Sequence, residues 1–438
     1  MPDHLVGAQK KALREYPDAQ NGERRGVSLH RPRPRTVRRG TFGAEMIPYQ
    51  ILTFNQITSV GLERFPRARY SVGETADRPD AILVRSHHLH NVAIPASVLA
   101  IGRVGAGTNN IPVAEMSRRG TPVFNTPGAN ANAVKELVFA ALLIAARNVV
   151  PALRFVETLA PDTFHLERQV EEGKHQFAGV ELRGRTLGII GLGAIGSIVA
   201  EAAINFGMKV TGFDPEITID AAWRLPSSVR KAHSIEELLK HADFVTLHVP
   251  LLGATRNLIN AQRLAMVKPG AVLLNFARDA VADEEAVVGA LRARRLRYYF
   301  CDFPSARLLR EPGVVALPHL GASTREAEEN CAIMAVDQLR EYLEHGTIVN
   351  AVNFPGVEMG RESLFRVAIA NANVPNMLGQ ISTAMAHAGL NIHNMVNKSR
   401  NEMAYSLVDV DSPIPSGLIE TLAAIDGVLS VRAIPAVP

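Results

Sequence analysis

Arg278 closes the apolar run Leu273-Leu-Asn-Phe-Ala277, and His319 follows a second apolar run that ends at Pro318, just ahead of a helix-forming stretch. A guanidinium offers a planar fork of donors that matches a carboxylate and a polarised carbonyl. An imidazole titrates near neutrality, which suits a group that gives and takes a proton. A cation to orient an acidic substrate and a group to exchange a proton are what a site that moves a hydride requires. Both residues fall at the carboxyl ends of strands, where open α/β sheets bind ligands. Taken alone, a loop arginine is usually a solvated charge and a loop histidine is usually structural. A nucleotide site beside them reverses both readings.

Such a site is written in Leu187-Gly-Ile-Ile-Gly-Leu-Gly-Ala-Ile-Gly196, a buried strand, a tight turn and a helix start. Gly191 permits the turn, Gly193 lets the backbone approach a pyrophosphate, and Gly196 lets the helix pack on the strand. The N–H groups at the helix start, around Ala194 and Ile195, then hold the phosphates with the help of the helix dipole. A second strand, Lys209-Val-Thr-Gly-Phe-Asp214, ends in a carboxylate that suits free ribose hydroxyls and repels a 2′-phosphate. The expected cofactor is therefore NAD rather than NADP. Glycine turns before helices are common, but here the flanking strand, the helix 197–206 and the spacing to Asp214 agree.

The elements that must position these residues alternate along the chain. Short apolar runs read as strands at 49–54, 81–84, 104–106, 123–125, 186–190, 209–213, 244–247, 271–275, 298–302 and 314–316. Helices are expected at 133–148, capped by the Asn130-Ala-Asn132 segment, and at 234–241, 283–294 and 323–346. This is a doubly wound α/β pattern, with the last helix long enough to return to the first domain. Beyond a linker around Asn353–Glu362, strands and helices follow in the order β-α-β-β-α-β, the ferredoxin-like plan.

Composition bounds the class. With 438 residues, 47% apolar and 21% charged, the chain has room for two or three domains with full cores. Cys301 and Cys331 give neither a disulfide framework nor metal-site spacing, so no metal and a reducing, cytoplasmic compartment are expected. Apolar stretches such as Leu137–Ala146 are shorter than the about 20 residues that span a bilayer, and no signal-peptide core follows the start. The net charge of +4 is localised: residues 1–45 hold ten Lys or Arg against five Asp or Glu, which leaves the remainder at −1. We expect a disordered basic extension over 1–45, with no nucleic-acid partner and no membrane.

Several separate motifs occur in order: Arg103-Val-Gly-Ala-Gly-Thr-Asn-Asn-Ile111, Phe124-Asn-Thr-Pro-Gly-Ala-Asn-Ala-Asn-Ala-Val134, the glycine loop, His248-Val-Pro250, Asn275-Phe-Ala-Arg278 and Leu317-Pro-His-Leu-Gly-Ala-Ser-Thr324. On these the chain resembles the D-2-hydroxyacid dehydrogenase family, within it the members that act on 3-phosphoglycerate and carry a C-terminal ACT domain. The resemblance covers about residues 48–438. It implies two Rossmann-like domains with a cleft between them plus a ferredoxin-like ACT domain. The boundaries are 46–145 with 319–350 for substrate, 146–318 for NAD, 351–362 as linker and 363–438 as regulatory domain. It also implies NAD-dependent oxidation of 3-phospho-D-glycerate to 3-phosphohydroxypyruvate, the first step of L-serine biosynthesis, by a homodimer or homotetramer. Two other readings are a dehydrogenase of another 2-hydroxyacid and a catalytically weakened NAD-binding regulator.

The resemblance assigns roles by position. Arg278 would hold the substrate carboxylate and keto oxygen, and His319 would act on the 2-hydroxyl. Gly105, Ala106 and Gly107 would bind the carboxylate, while Arg85, Ser86 and Asn130 match substrate contacts, with Arg85 a candidate for the phosphate. His248, Pro250, Thr255, Ala277 and Asp302 would line the cofactor. Asn371, Asn373 and Asn391 match positions that bind an amino-acid effector such as L-serine, and Asn376 stands where a glycine is usual. The sequence departs from the family at one point that matters. The glutamate that orients the imidazole would fall at Ala306, and Asp279 replaces the glycine usual after the arginine. An imidazole without a carboxylate loses an orienting partner and a stabilising charge. Asp279 and Glu311 are the acids nearby in sequence, and Arg307 would disfavour the protonated ring.

Overall fold

The computed structural model describes residues 47–159 and 165–435; the extension expected over 1–45 lies outside them. Apolar runs bounded by turn chemistry become strands. β1 (Tyr49–Phe54), β2 (Tyr70–Gly73), β3 (Ala81–Val84), β4 (Ala100–Arg103) and β5 (Val123–Phe124) form a parallel sheet in the order β2-β1-β3-β4-β5. All four residues of β3 are buried, as in a parallel sheet covered on both faces. The strand expected at 104–106 ends earlier, at Arg103. Gly105 has φ +135, outside the strand region open to other residues, so this stretch is the loop that follows β4.

A second parallel sheet comprises β6 (Thr186–Ile190), β7 (Lys209–Phe213), β8 (Arg230–Lys231), β9 (Phe244–Leu247), β10 (Ala271–Asn275), β11 (Leu296–Cys301) and β12 (Val314–Ala316). Their order is β12-β11-β10-β9-β6-β7-β8. The winding reverses between β6 and β9, which places the ligand crevice at their carboxyl ends. Neither β2 nor β8 is legible in the apolar pattern of the sequence. Both are edge strands paired on one side, and both residues of β8 are exposed, so they carry little apolar pattern.

The chain crosses between these sheets twice. Helix Ala131–Ala146 packs Val138, Leu142 and Ala145 into the second core with Leu187, Val199 and Phe244, so the first crossing precedes this helix instead of following it at 145/146. Asn130 stands at its N-cap without a side-chain capping bond, contrary to the capping expected. Helix Arg325–His345 returns, with Ala335, Leu339 and Leu343 packed against Ile51 and Leu83 of the first sheet.

The C-terminal sheet is antiparallel, built from β13 (Phe365–Ala372), β14 (Ile392–Arg400), β15 (Met403–Val410) and β16 (Val428–Ile434) in the order β14-β15-β13-β16. Helices Met377–His387 and Ser416–Ala423 complete the ferredoxin-like plan. Alternate residues of β13 enter two cores: Val367 and Ile369 meet these helices, whereas Ala368 and Ala370 join the core around helix Arg325–His345. Arg366 pairs inside with Asp409 at 2.6 and 2.9 Å and donates to the carbonyls of His345, Met359 and Gly360. The stretch 351–362, expected as a linker, is packed: Phe354, Val357 and Met359 are buried in that same core.

Candidate active site

The glycine turn sits at the end of β6, beside the end of β9. Gly191 has φ +93, and a Cβ there would lie 2.6 Å from the carbonyl oxygen of His248. At Gly196 a Cβ would come within 1.9 Å of the Gly191 oxygen, so only glycine lets helix Ala194–Asn205 pack this close to the turn. Gly193 differs: a Cβ would meet nothing within 4 Å, so this face of the turn is open. Gly193 is the N-cap, and no side chain caps the helix, which leaves the first-turn N–H groups around Ala194 and Ile195 to an external acceptor. Asp214 accepts hydrogen bonds from the N–H of Leu192 at 2.8 Å and of Glu216 at 3.0 Å, which hold its carboxylate against the turn. A tight cradle, an open helix start and a braced acid fit a dinucleotide with a free ribose diol.

On the β9 side, the His248 N–H donates to the Ile190 carbonyl at 2.8 Å, and the ring Nε2 lies 3.0 Å from the Thr246 hydroxyl. Burial pushes the imidazole down to about 3, so the ring is neutral. The Thr255 hydroxyl donates to the Pro250 carbonyl at 2.6 Å and accepts from the Leu252 N–H at 2.7 Å, closing that loop. Ala277 is buried beside Arg278. Asp302, expected to line the cofactor, braces the His319 loop. Its buried carboxylate accepts from the N–H groups of Leu320 and Gly321, both at 2.7 Å.

Asn275, Cys301 and Ala316 stand in register on β10, β11 and β12, so Arg278 and His319 each lie three residues beyond the same level of the sheet. Asn275, which sequence reasoning left without a role, is fully buried. Its amide donates to the Arg278 carbonyl at 2.8 Å and accepts from the Ala277 N–H, and so shapes the turn that presents the guanidinium. That guanidinium reaches across to the first sheet: a Cβ on Gly107 would lie 2.9 Å from Arg278 Nη2. Gly128 likewise stands close to Ala194: a Cβ there would lie 3.1 Å from the alanine's. The two sheets thus meet at the carboxyl ends of their strands.

The Gly105–Gly107 loop is held by its carbonyls, Gly105 accepting from the Thr126 N–H at 3.1 Å and Ala106 from the Asn125 amide at 2.6 Å. Arg103 lies against Gly105, where a Cβ would overlap its Nη1. Burial, together with the cations of Arg278 and Arg85, holds the Arg103 guanidinium below the usual range. The signal for Arg103 was its place at the head of the Val-Gly-Ala-Gly motif. Arg85 forms an ion pair with Glu328, the Ser86 N–H donates to Asn55 at 3.0 Å, and the buried amide oxygen of Asn130 has no partner among the described residues.

His319 has a left-handed backbone, φ +56, pinned by its N–H to the carbonyls of Asp302 and Leu317. Its exposed ring rests on Phe303, and among the described residues no carboxylate pairs with it. Glu311 is committed to Arg292 at 3.0 and 2.8 Å, so it does not replace the family's glutamate. Arg307 faces Glu285 at 3.9 Å instead of the imidazole.

In the C-terminal domain the three asparagines do not converge within one chain. Asn373 follows the end of β13, with its amide donating to the Asn401 carbonyl at 3.0 Å, whereas Asn391 precedes the strand end that lies level with Phe365. The strand between them spans about 25 Å at roughly 3.3 Å per residue. Asn371 is buried, with its amide turned to the Ala372 carbonyl at 2.7 Å.

A family described as D-isomer specific 2-hydroxyacid dehydrogenase, NAD binding domain, matches residues 140–321. The chain is 34% identical over 350 residues to a D-3-phosphoglycerate dehydrogenase of Haemophilus influenzae, covering 77% of this chain and 81% of that protein. It is 30% identical over 363 residues to that of Escherichia coli K12, covering 80% and 84%. Among solved structures, an NAD⁺-bound 3-phosphoglycerate dehydrogenase of Entamoeba histolytica superposes with a TM-score of 0.55 and 25% identity, covering 70% of this chain and 99% of that one.

Proposed function

The chain belongs to the D-isomer-specific 2-hydroxyacid dehydrogenases, and from that membership we propose that it oxidises 3-phospho-D-glycerate to 3-phosphohydroxypyruvate, the opening reaction of L-serine biosynthesis. NAD is the cofactor, held by the glycine turn and Asp214; when bound, it takes up the hydride. One observation carries the reading: Arg278 faces the Gly105–Gly107 loop at the edge of the sheet that also presents His319 and the glycine turn. The Arg278 fork orients the carboxylate and the 2-oxygen, and His319 takes the 2-hydroxyl proton as the carbonyl forms. Arg85 is assigned to the distal phosphate, as the cation that follows β3.

An amino-acid effector such as L-serine fits the C-terminal asparagines only if two copies pair, so that Asn373 of one and Asn391 of another share a ligand. A homodimer or homotetramer follows from that reading. Cys301 and Cys331 are free and buried, which accords with a reducing, cytoplasmic compartment. The test is steady-state NADH formation over a panel of 2-hydroxyacids, with and without L-serine. The proposal expects 3-phosphoglycerate to be turned over, with His319→Ala lowering kcat by about 10²–10⁴. No NADH from any hydroxyacid refutes the assignment, and turnover of an unphosphorylated one alone reassigns the substrate.

A further inference from the structure

We infer that Glu328 sets the affinity of the cleft for a phosphorylated substrate, because it holds Arg85 in an ion pair that the phosphate must displace. The inference rests on the function proposed above. Arg85 follows β3, and Glu328 lies in the first turn of helix Arg325–His345, 243 residues away in sequence. Both line a cleft of about 550 Å³ together with Asn55, Thr58 and Glu74. Its lining thus holds two carboxylates and one guanidinium and does not include Arg103 or Arg278, which lie against the Gly105–Gly107 loop. A phosphate dianion arriving here meets a cation that is already neutralised and a carboxylate that repels it.

The side chains of the pair are 39% and 41% exposed. Water reaches them, so the pair is weak and a ligand can compete for Arg85, at a cost of about fivefold in affinity. Repulsion between the displaced carboxylate and the phosphate adds to that factor. Glu328 is thus a tuning residue, which weakens binding of the charged substrate without touching the reacting carbon.

The experiment compares wild-type protein, Glu328→Gln and Glu328→Gln with Arg85→Ala, each as the full chain with NAD. KM and kcat are measured for 3-phosphoglycerate and for D-glycerate, and inorganic phosphate binding is measured by calorimetry. Glu328→Gln is expected to lower KM for 3-phosphoglycerate by about five- to tenfold. KM for D-glycerate should move much less, phosphate should bind more tightly by a similar factor, and the added Arg85→Ala should cancel the gain. Glu328→Ala provides a second variant with the same expectation. Phosphate affinity that is unchanged or weaker in both single variants overturns the inference. A wild-type protein that turns over no 3-phosphoglycerate refutes the functional proposal instead, and the phosphate titration still decides the role of Glu328.

Discussion

The imidazole of His319 rests on the ring of Phe303, with centroids 5.1 Å apart and planes inclined by 56°. Among the described residues, the Asp302 carboxylate accepts hydrogen bonds only from the backbone of the same loop, at Leu320 and Gly321. The ring is therefore oriented by packing and by its pinned backbone, with no ionic partner among the described residues. Orientation and charge, which one carboxylate would supply together, are separated here.

Removing the packing should expose that separation. Phe303→Ala is expected to lower kcat about tenfold while leaving KM nearly unchanged, since a loose ring misplaces the proton acceptor without altering the Arg278 clamp. Ala306→Glu should move the acidic limb of the pH–rate profile upward, because a carboxylate favours the protonated imidazole. Rates measured across pH for both variants check this, and an unmoved profile in Ala306→Glu means that position 306 does not reach the ring.

The glycine turn predicts two different kinds of damage. Gly193→Ala has room within the protein, so melting should stay close to wild type while the NAD dissociation constant rises at least about tenfold, from a methyl placed where the phosphates approach. Gly196→Ala drives a Cβ into the Gly191 carbonyl and should lower the melting temperature itself. Thermal melts paired with NAD titrations separate the two.

His248 ties stability to pH. Its imidazole is pushed down to about 3 by burial, whereas in the unfolded chain it takes a proton near 6.5. Between those values the unfolded state binds more protons, so stability falls as pH drops, by up to about 1.4 kcal/mol per unit from this group. Urea unfolding without NAD from pH 7 to pH 4 should show a shallower loss for His248→Asn than for wild type.

The buried Arg366–Asp409 pair joins the C-terminal sheet to the returning helix and the 351–362 strap. Asp409→Ala leaves a guanidinium uncompensated in the core and should destabilise the fold by about 3–5 kcal/mol. Denaturant unfolding measures this, and a loss under about 1 kcal/mol would mean that the three carbonyls alone satisfy Arg366.

What the sequence determined by itself was local. Gly191, Gly193 and Gly196 are demanded by contacts within one turn and its helix, and Asp214 follows on the next strand, so spacing alone gave the nucleotide site. Arg278 and His319 were legible because each closes an apolar run at a strand end. The tertiary structure alone decided the long-range pairings. Phe303 in place of a carboxylate at His319, Glu328 on Arg85, Asp302 bracing a loop, the packed stretch 351–362 and the wide separation of Asn373 from Asn391 all join or part residues that no short pattern relates. The physical reason is reach: backbone sterics act over a few residues and leave a trace in their spacing. Ion pairs and packing depend on where the sheets place distant segments, and they leave none.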